Sequence, residues 1–230
     1  MKGFSIFLAI AVFLVSSANA GDKKEKERLE NAGKVITEIM NIPDNIPQGL
    51  LDKARCVVVL PSVVKGAFIV GANYGRGVMI CRGGANFDGP WGAPTMMALE
   101  GASFGFQLGG QATDFVLLLM NDRSAKGVLT SKVKLGADAS AAAGPKGRDT
   151  SAETDATMRA EILSYSRARG VFAGVSLEGS TLRPDGGANK NLYGKEISAQ
   201  DIVLNGAVPA PASAKELLAT LNAKSPKSKS

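Results

Sequence analysis

Between Asp22 and Met40 the apolar residues fall at Leu29, Ala32, Val35, Ile36, Ile39 and Met40, with charges between them. That three-and-four spacing predicts an amphipathic helix, ended where Asn41 and Pro43 interrupt it. A second short helical piece, Pro47 to Lys53, precedes the first expected strand, Arg55 to Leu60. The stretch GAFIVGANYGRGVMICRGG reads as two strands, Ala67 to Asn73 and Gly77 to Arg82, joined by a glycine turn. Pro90 to Asn121 supplies two or three more. Within it, Phe115 to Met120 is continuously apolar, the mark of a strand buried on both faces. Asn121 and Asp122 are placed to cap a short helix running through Leu129. Ser131 to Glu153 then reads as a strand, a small-residue segment and an exposed loop.

Farther on, Glu161 to Ser166 and Val171 to Leu182 are expected to pair, with a hairpin corner at Gly170. On period two, Leu163, Tyr165, Arg167 and Arg169 share one face. Beyond Gly170, Val171, Ala173, Val175 and Leu177 form an apolar face, and Phe172, Ser176 and Glu178 look the other way. Helix returns at Ser198 to Leu204 and Ser213 to Ala223. Three GAN tripeptides, at Gly71, Gly84 and Gly187, are unequally spaced and so mark turns and not a solenoid repeat. No linker divides the chain. The pattern predicts one α+β domain, a mainly antiparallel, glycine-rich β-sheet with N- and C-terminal helices packed on it.

The first twenty residues stand apart from this pattern. Lys2, an apolar run from Phe4 to Val15, and Ala18-Asn19-Ala20 have the layout of a signal peptide over 1–20 with cleavage after Ala20. The run is short for a membrane anchor, and no cysteine follows it to carry a lipid. The expected product is exported, periplasmic or secreted, and at most peripheral to a membrane. At the other end, residues 224–230 (KSPKSKS) read as a disordered basic tail.

Composition sharpens the picture in two places. Glycine is abundant (27 of 230 residues) and aromatics sparse (6%), as suits a β-rich domain with many small residues. Without Lys2, 26 basic residues face 21 acidic ones, a net charge of +5. That favours anionic surfaces but falls short of a nucleic-acid binder, and nucleic acid is not expected as a partner. Lys23, Lys24, Lys26 and Arg28 give the first helix a basic side, diluted by Glu25, Glu27 and Glu30; an ordinary packed helix is the expectation.

The chain contains no histidine. Triads built on histidine are therefore excluded, and the commonest transition-metal ligand is missing. No serine–lysine pair has a convincing context, and Glu100, Glu161 and Glu178 are scattered beside strands instead of paired as in a glycosidase. No enzymatic activity, cofactor or metal site is expected. Cys56 and Cys81, both in apolar runs, either form one disulfide or are two small buried hydrophobes; strand adjacency decides, and the sequence leaves both open. GANYGRG joins strand to strand and lacks the helix start that a phosphate loop requires. GPKGRD, with Lys146 and Arg148, lacks the full P-loop ending, and presents its cations from an exposed loop.

Four long blocks, GANYGRGVMICR, GGQATDFVLLLMN, KLGADASAAAGPKGR and AEILSYSRARGVFAGVSLEGS, resemble the SYLF domain family in content and order, from Lys65 to about Leu182. The resemblance implies a lipid-binding module over 21–223 that binds without catalysis. Anionic phospholipid or a membrane surface of the cell envelope is the implied partner. Family members outside bacteria are associated with phosphoinositide membranes and, in some cases, actin; the expected export makes actin an unlikely partner here. A structural or protein-interaction role in the envelope, in an oligomer or alone, is the alternative. Candidate headgroup contacts are Arg76, Arg82, Lys146, Arg148, Arg167 and Arg169, all at expected turns or strand ends, where a guanidinium or ammonium reaches a phosphate.

Overall fold

Along Cys56–Gly66 (β1) successive side chains leave the strand on opposite faces, and from Cys56 to Leu60 both faces are buried. Val57 and Val59 enter one core; Cys56, Val58 and Leu60 enter another. A strand apolar on both sides needs a layer over each, and the fold supplies them. The computed structural model describes residues 6–66, 71–103, 112–147, 159–168, 170–226 and 228. Among these, β1 is joined by Gly71–Cys81 (β2), Thr95–Ser103 (β3), Ala112–Leu119 (β4), Val133–Lys134 (β5), Ala141–Ala143 (β6), Ile162–Ala168 (β7), Val171–Gly174 (β8) and Thr181–Pro184 (β9). They form one sheet in the order β5-β9-β3-β2-β1-β4-β7-β6, with β8 also paired to β7. All pairings are antiparallel except β6 with β7. The chain is a single α+β domain, as its pattern predicts.

One face carries Ile6–Met40 (α1), Gln48–Lys53 (α2), Gly186–Tyr193 (α4) and Lys215–Lys224 (α6). The expected stripe of α1, from Leu29 to Met40, lies in this first core. The two terminal helices also meet each other: a Cβ added at Gly33 of α1 would lie 3.0 Å from the Leu217 nitrogen of α6, and the Thr37 and Thr220 hydroxyls are 2.7 Å apart. The opposite face carries Asp122–Thr130 (α3) and Ala199–Val203 (α5), whose Ala125, Val128, Leu129 and Ala199 enter the second core with Phe115, Leu117 and Leu119 of β4. Asn121 caps α3 as expected, its side chain accepting from the Ser124 N–H at 2.8 Å.

Several elements differ from the sequence expectations. GANYGRG is strand, not turn: β2 runs unbroken from Gly71 to Cys81, while 67–70 of the expected preceding strand lie outside the described residues. The glycines serve close approach instead. A Cβ at Gly77 would stand 2.0 Å from the Val59 carbonyl oxygen, and one at Gly75 would stand 2.3 Å from Val63 Cγ2. These contacts flank the bulge that shifts the β1–β2 register between Val59 and Val64. Of the three GAN tripeptides only that at Gly84 is a turn, with φ +87°; Gly71 opens β2 and Gly187 lies in α4. That helix was legible in Asp185, which accepts from the Ala188 N–H at 3.1 Å, and in Gly194, left-handed at φ +70°.

The expected strand Val171 to Leu182 is two strands on opposite sides of the sheet, β8 against β7 and β9 against β3. The Gly170 corner holds, at φ +80°. The inward side of β8 is the reverse of the expected one, because Arg167 pairs with Phe172 and so sets Phe172 on the face of Tyr165. The two rings stack at 5.4 Å, and Val171 is left 68% exposed.

Candidate anion-binding site

Alternation fixes where the candidate arginines point. Val78 and Ile80 of β2 face the α1 side, so Tyr74, Arg76 and Arg82 do too; Tyr165 does the same for Arg167. The described arginines among the candidates thus share the face that α1 covers, but at separate places and with different fates. Arg148 and Arg169 lie outside the described residues. Lys146 is exposed on its loop and has no ion-pair partner among the described residues.

Arg82 is fully buried and reaches no headgroup. Its Nε donates to the Ala54 carbonyl at 3.2 Å, its Nη2 donates to the Ser225 hydroxyl at 2.6 Å, and its guanidinium lies 4.3 Å from the Trp91 ring centroid. Trp91 Nε1 donates to the Ser225 carbonyl at 2.9 Å, and the Ser225 hydroxyl donates to Asp52 at 2.7 Å. Burial pulls the Arg82 pKa below the ordinary arginine value, with Asp52 acting against it. This corrects two expectations at once: Arg82 is a structural cation, and the tail expected to be disordered is anchored through buried Ser225. Ser228 also accepts from Arg55 at 3.1 Å, while 227, 229 and 230 lie outside the described residues.

Arg167 is likewise committed within the fold. Its Nε and Nη2 donate to Asp114 at 3.1 and 2.8 Å, and Nη1 pairs with Glu38 of α1. Burial lowers its pKa, but the hydrogen bonds to Glu38 and Asp114 outweigh that and raise it. Asp114 in turn accepts from the Ser62 N–H at 2.9 Å. Two carboxylates on one guanidinium leave little charge to offer a ligand.

Arg76 is different. Its side chain is 40% exposed, its Nε lies 3.1 Å from Asp185 Oδ2, and it donates to the Tyr74 hydroxyl at 2.7 Å. Tyr74 is itself 47% exposed. From α1, Arg28 comes to the same place, paired with Glu25. Burial, and then the like charge of Arg76, hold the Arg28 pKa below the ordinary value, while Asp185 and Tyr74 act the other way. Nearby, Arg183 donates to Glu100 at 3.1 Å. Glu25 and Asp185 are buried, whereas the guanidinium groups they hold are partly open to solvent. Acids lie beneath, cations outward.

The cysteines pair. Cys56 and Cys81 face each other across β1 and β2 and form a disulfide in the second core. Arg28 was visible in the sequence only as part of a charged helix, Asp185 only as a helix cap, and Arg183 carried no signal at all. Their convergence is a product of α1 crossing the sheet.

The result is a double-faced α+β domain with a cationic cluster partly open to solvent. The chain matches, over residues 100–224, the family model described as "Ysc84: Las17-binding protein actin regulator". It is 35% identical over 204 residues to the SH3 domain-containing YSC84-like protein 1 of Rattus norvegicus and 34% identical to that of Homo sapiens, covering 86% of this chain and 58% of each relative. Protein YSC84 of Saccharomyces cerevisiae is 30% identical over 208 residues, covering 86% of this chain and 43% of its own length. The chain belongs to the Ysc84, or SYLF-domain, family. It spans roughly half the length of these relatives, and the family's description is one of binding and regulation.

Proposed function

We propose that this chain is a non-catalytic binding module for anionic phospholipid surfaces, acting peripherally in the cell envelope after export. The observation that carries this reading is the pairing of Arg76 with exposed Tyr74, backed by Arg28. A tyrosine with an apolar ring and a polar tip suits the boundary between acyl chains and headgroups. An arginine beside it grips phosphate through two donors. Each such cation near an anionic leaflet contributes about 1 kcal/mol, so a few of them give weak, salt-sensitive association. The leader pattern of residues 1–20 supports export, and the family description supports binding over catalysis.

Co-sedimentation with phosphatidylglycerol vesicles tests it. Binding at low salt that fades as salt rises, with none to phosphatidylcholine, is expected; no binding to either overturns the reading.

The family description favours a second reading, an interaction with a protein such as actin. Pelleting with filamentous actin, unaffected by lipid, is the outcome that supports it.

A further inference from the structure

Beside the bulge of β1, α1 turns one stripe toward solvent: Lys24, Glu27, Arg28 and Asn31, at helical positions i, i+3, i+4 and i+7. With Pro61 and Ser62 these residues wall a notch of about 230 Å³. Ser62 is one of two non-glycine residues in the left-handed region among those described, at φ +53°. The backbone is held there by a relay across three elements: the Ser62 N–H donates to Asp114, Asp114 accepts from Arg167, and Arg167 pairs with Glu38 of α1. Strain so fixed keeps Ser62 on the notch wall. Lys24 and the Ser62 hydroxyl engage no other group among the described residues.

We propose that this notch seats the phosphate of an ester, with Lys24 Nζ, the Arg28 guanidinium, the Asn31 amide and the Ser62 hydroxyl as donors. The volume falls below the roughly 300–1,000 Å³ of sites for drug-sized ligands and suits a headgroup-sized one. Arg28 stands close enough to Arg76 for the like charges to oppose each other, and a bound anion relieves that opposition. Glu27, the one carboxylate on the wall, repels a bare anion and accepts from a hydroxyl on the esterified alcohol. Glycerol phosphate is thus the chemistry the notch fits, whether carried by a lipid or free in solution. The inference rests on the surface-binding reading only for the source of that phosphate.

Amide NMR of the full chain, titrated with glycerol 3-phosphate at low salt, reads the site directly. Saturable shifts at Lys24, Arg28, Asn31 and Ser62 are expected, with a Kd on the order of 1 mM. The double variant Lys24→Ala/Asn31→Ala, at two exposed positions, should weaken binding about tenfold. Ser62→Gly, which tolerates the same backbone and removes the hydroxyl, should weaken it as well. Shifts spread over basic residues elsewhere, or affinity unchanged in both variants, overturn the proposal. Phosphatidylglycerol vesicles then separate the sources. Vesicle binding lost in the same variants supports the notch and assigns it a lipid. Ester binding at the notch with no vesicle binding supports the notch with a soluble ester and overturns the surface reading. Vesicle binding with no shift at these amides overturns the notch and leaves that reading standing.

Discussion

Arg82 and Ser225 are 143 positions apart in sequence, yet one guanidinium nitrogen of Arg82 donates to both the hydroxyl and the carbonyl of Ser225, at 2.6 and 3.2 Å. The contact ties the end of β2 to the residue after α6 and closes the first core at that end. Removing Arg82 leaves Ser225, Asp52 and Trp91 with broken partnerships in a buried place. Arg82→Met should cost about 3 kcal/mol or more. Trp91, the only tryptophan in the chain, reports it: chemical denaturation followed by fluorescence should show a lower midpoint and a red-shifted native spectrum.

The Cys56–Cys81 disulfide closes a loop spanning 25 positions beside this clasp. Closing a loop of that length restricts the unfolded chain by about 3 kcal/mol. The double variant Cys56→Ala/Cys81→Ala should lose stability of that order in urea while keeping the native circular dichroism. An unchanged midpoint would show that packing in the second core outweighs the link.

Two glycines make opposite predictions. Gly77→Ala puts a Cβ 2.0 Å from the Val59 carbonyl oxygen, where backbone must give way, and should cost more than about 3 kcal/mol. Gly49→Ala, in α2 with nothing within 4 Å of its added Cβ, should be neutral or stabilising by up to about 1 kcal/mol. Thermal melts of the two variants side by side check both signs.

Glu100 titrates below its ordinary value of 4.5, chiefly because Arg183 donates to it. A carboxyl depressed in the folded state adds stability that is fully present above its unfolded pKa and is lost as pH falls through the folded value. Glu100→Gln should therefore narrow the gap between stability at neutral pH and stability below pH 4.5. Denaturation midpoints from neutral to strongly acid pH measure this; parallel curves for wild type and variant would contradict it.

What was legible in the sequence was local. The stripe of α1 from Leu29 to Met40, the Asn121 cap and the two-faced run of β4 all follow from neighbours a few residues away. The pairing of β9 with β3, and the parallel lie of β6 along β7, depend on contacts far apart in the chain and left no periodic trace. Nor did the sequence separate the arginines. Arg76, Arg82 and Arg167 look alike as cations beside strands, and their roles are set by Asp185, Ser225 and Asp114, all distant in sequence. The glycines of GANYGRG misled because a residue small enough for a turn is also small enough for two backbones to pass closely.

We propose that the Arg76–Tyr74 surface meets anionic headgroups. Its most direct test is co-sedimentation of wild type and Arg76→Gln with phosphatidylglycerol vesicles at low salt, the fold of each checked by circular dichroism. Wild-type binding that weakens with salt is expected, with a loss in the variant of about fivefold, the equivalent of about 1 kcal/mol. Equal binding by the two proteins, or none by the wild type, would contradict it.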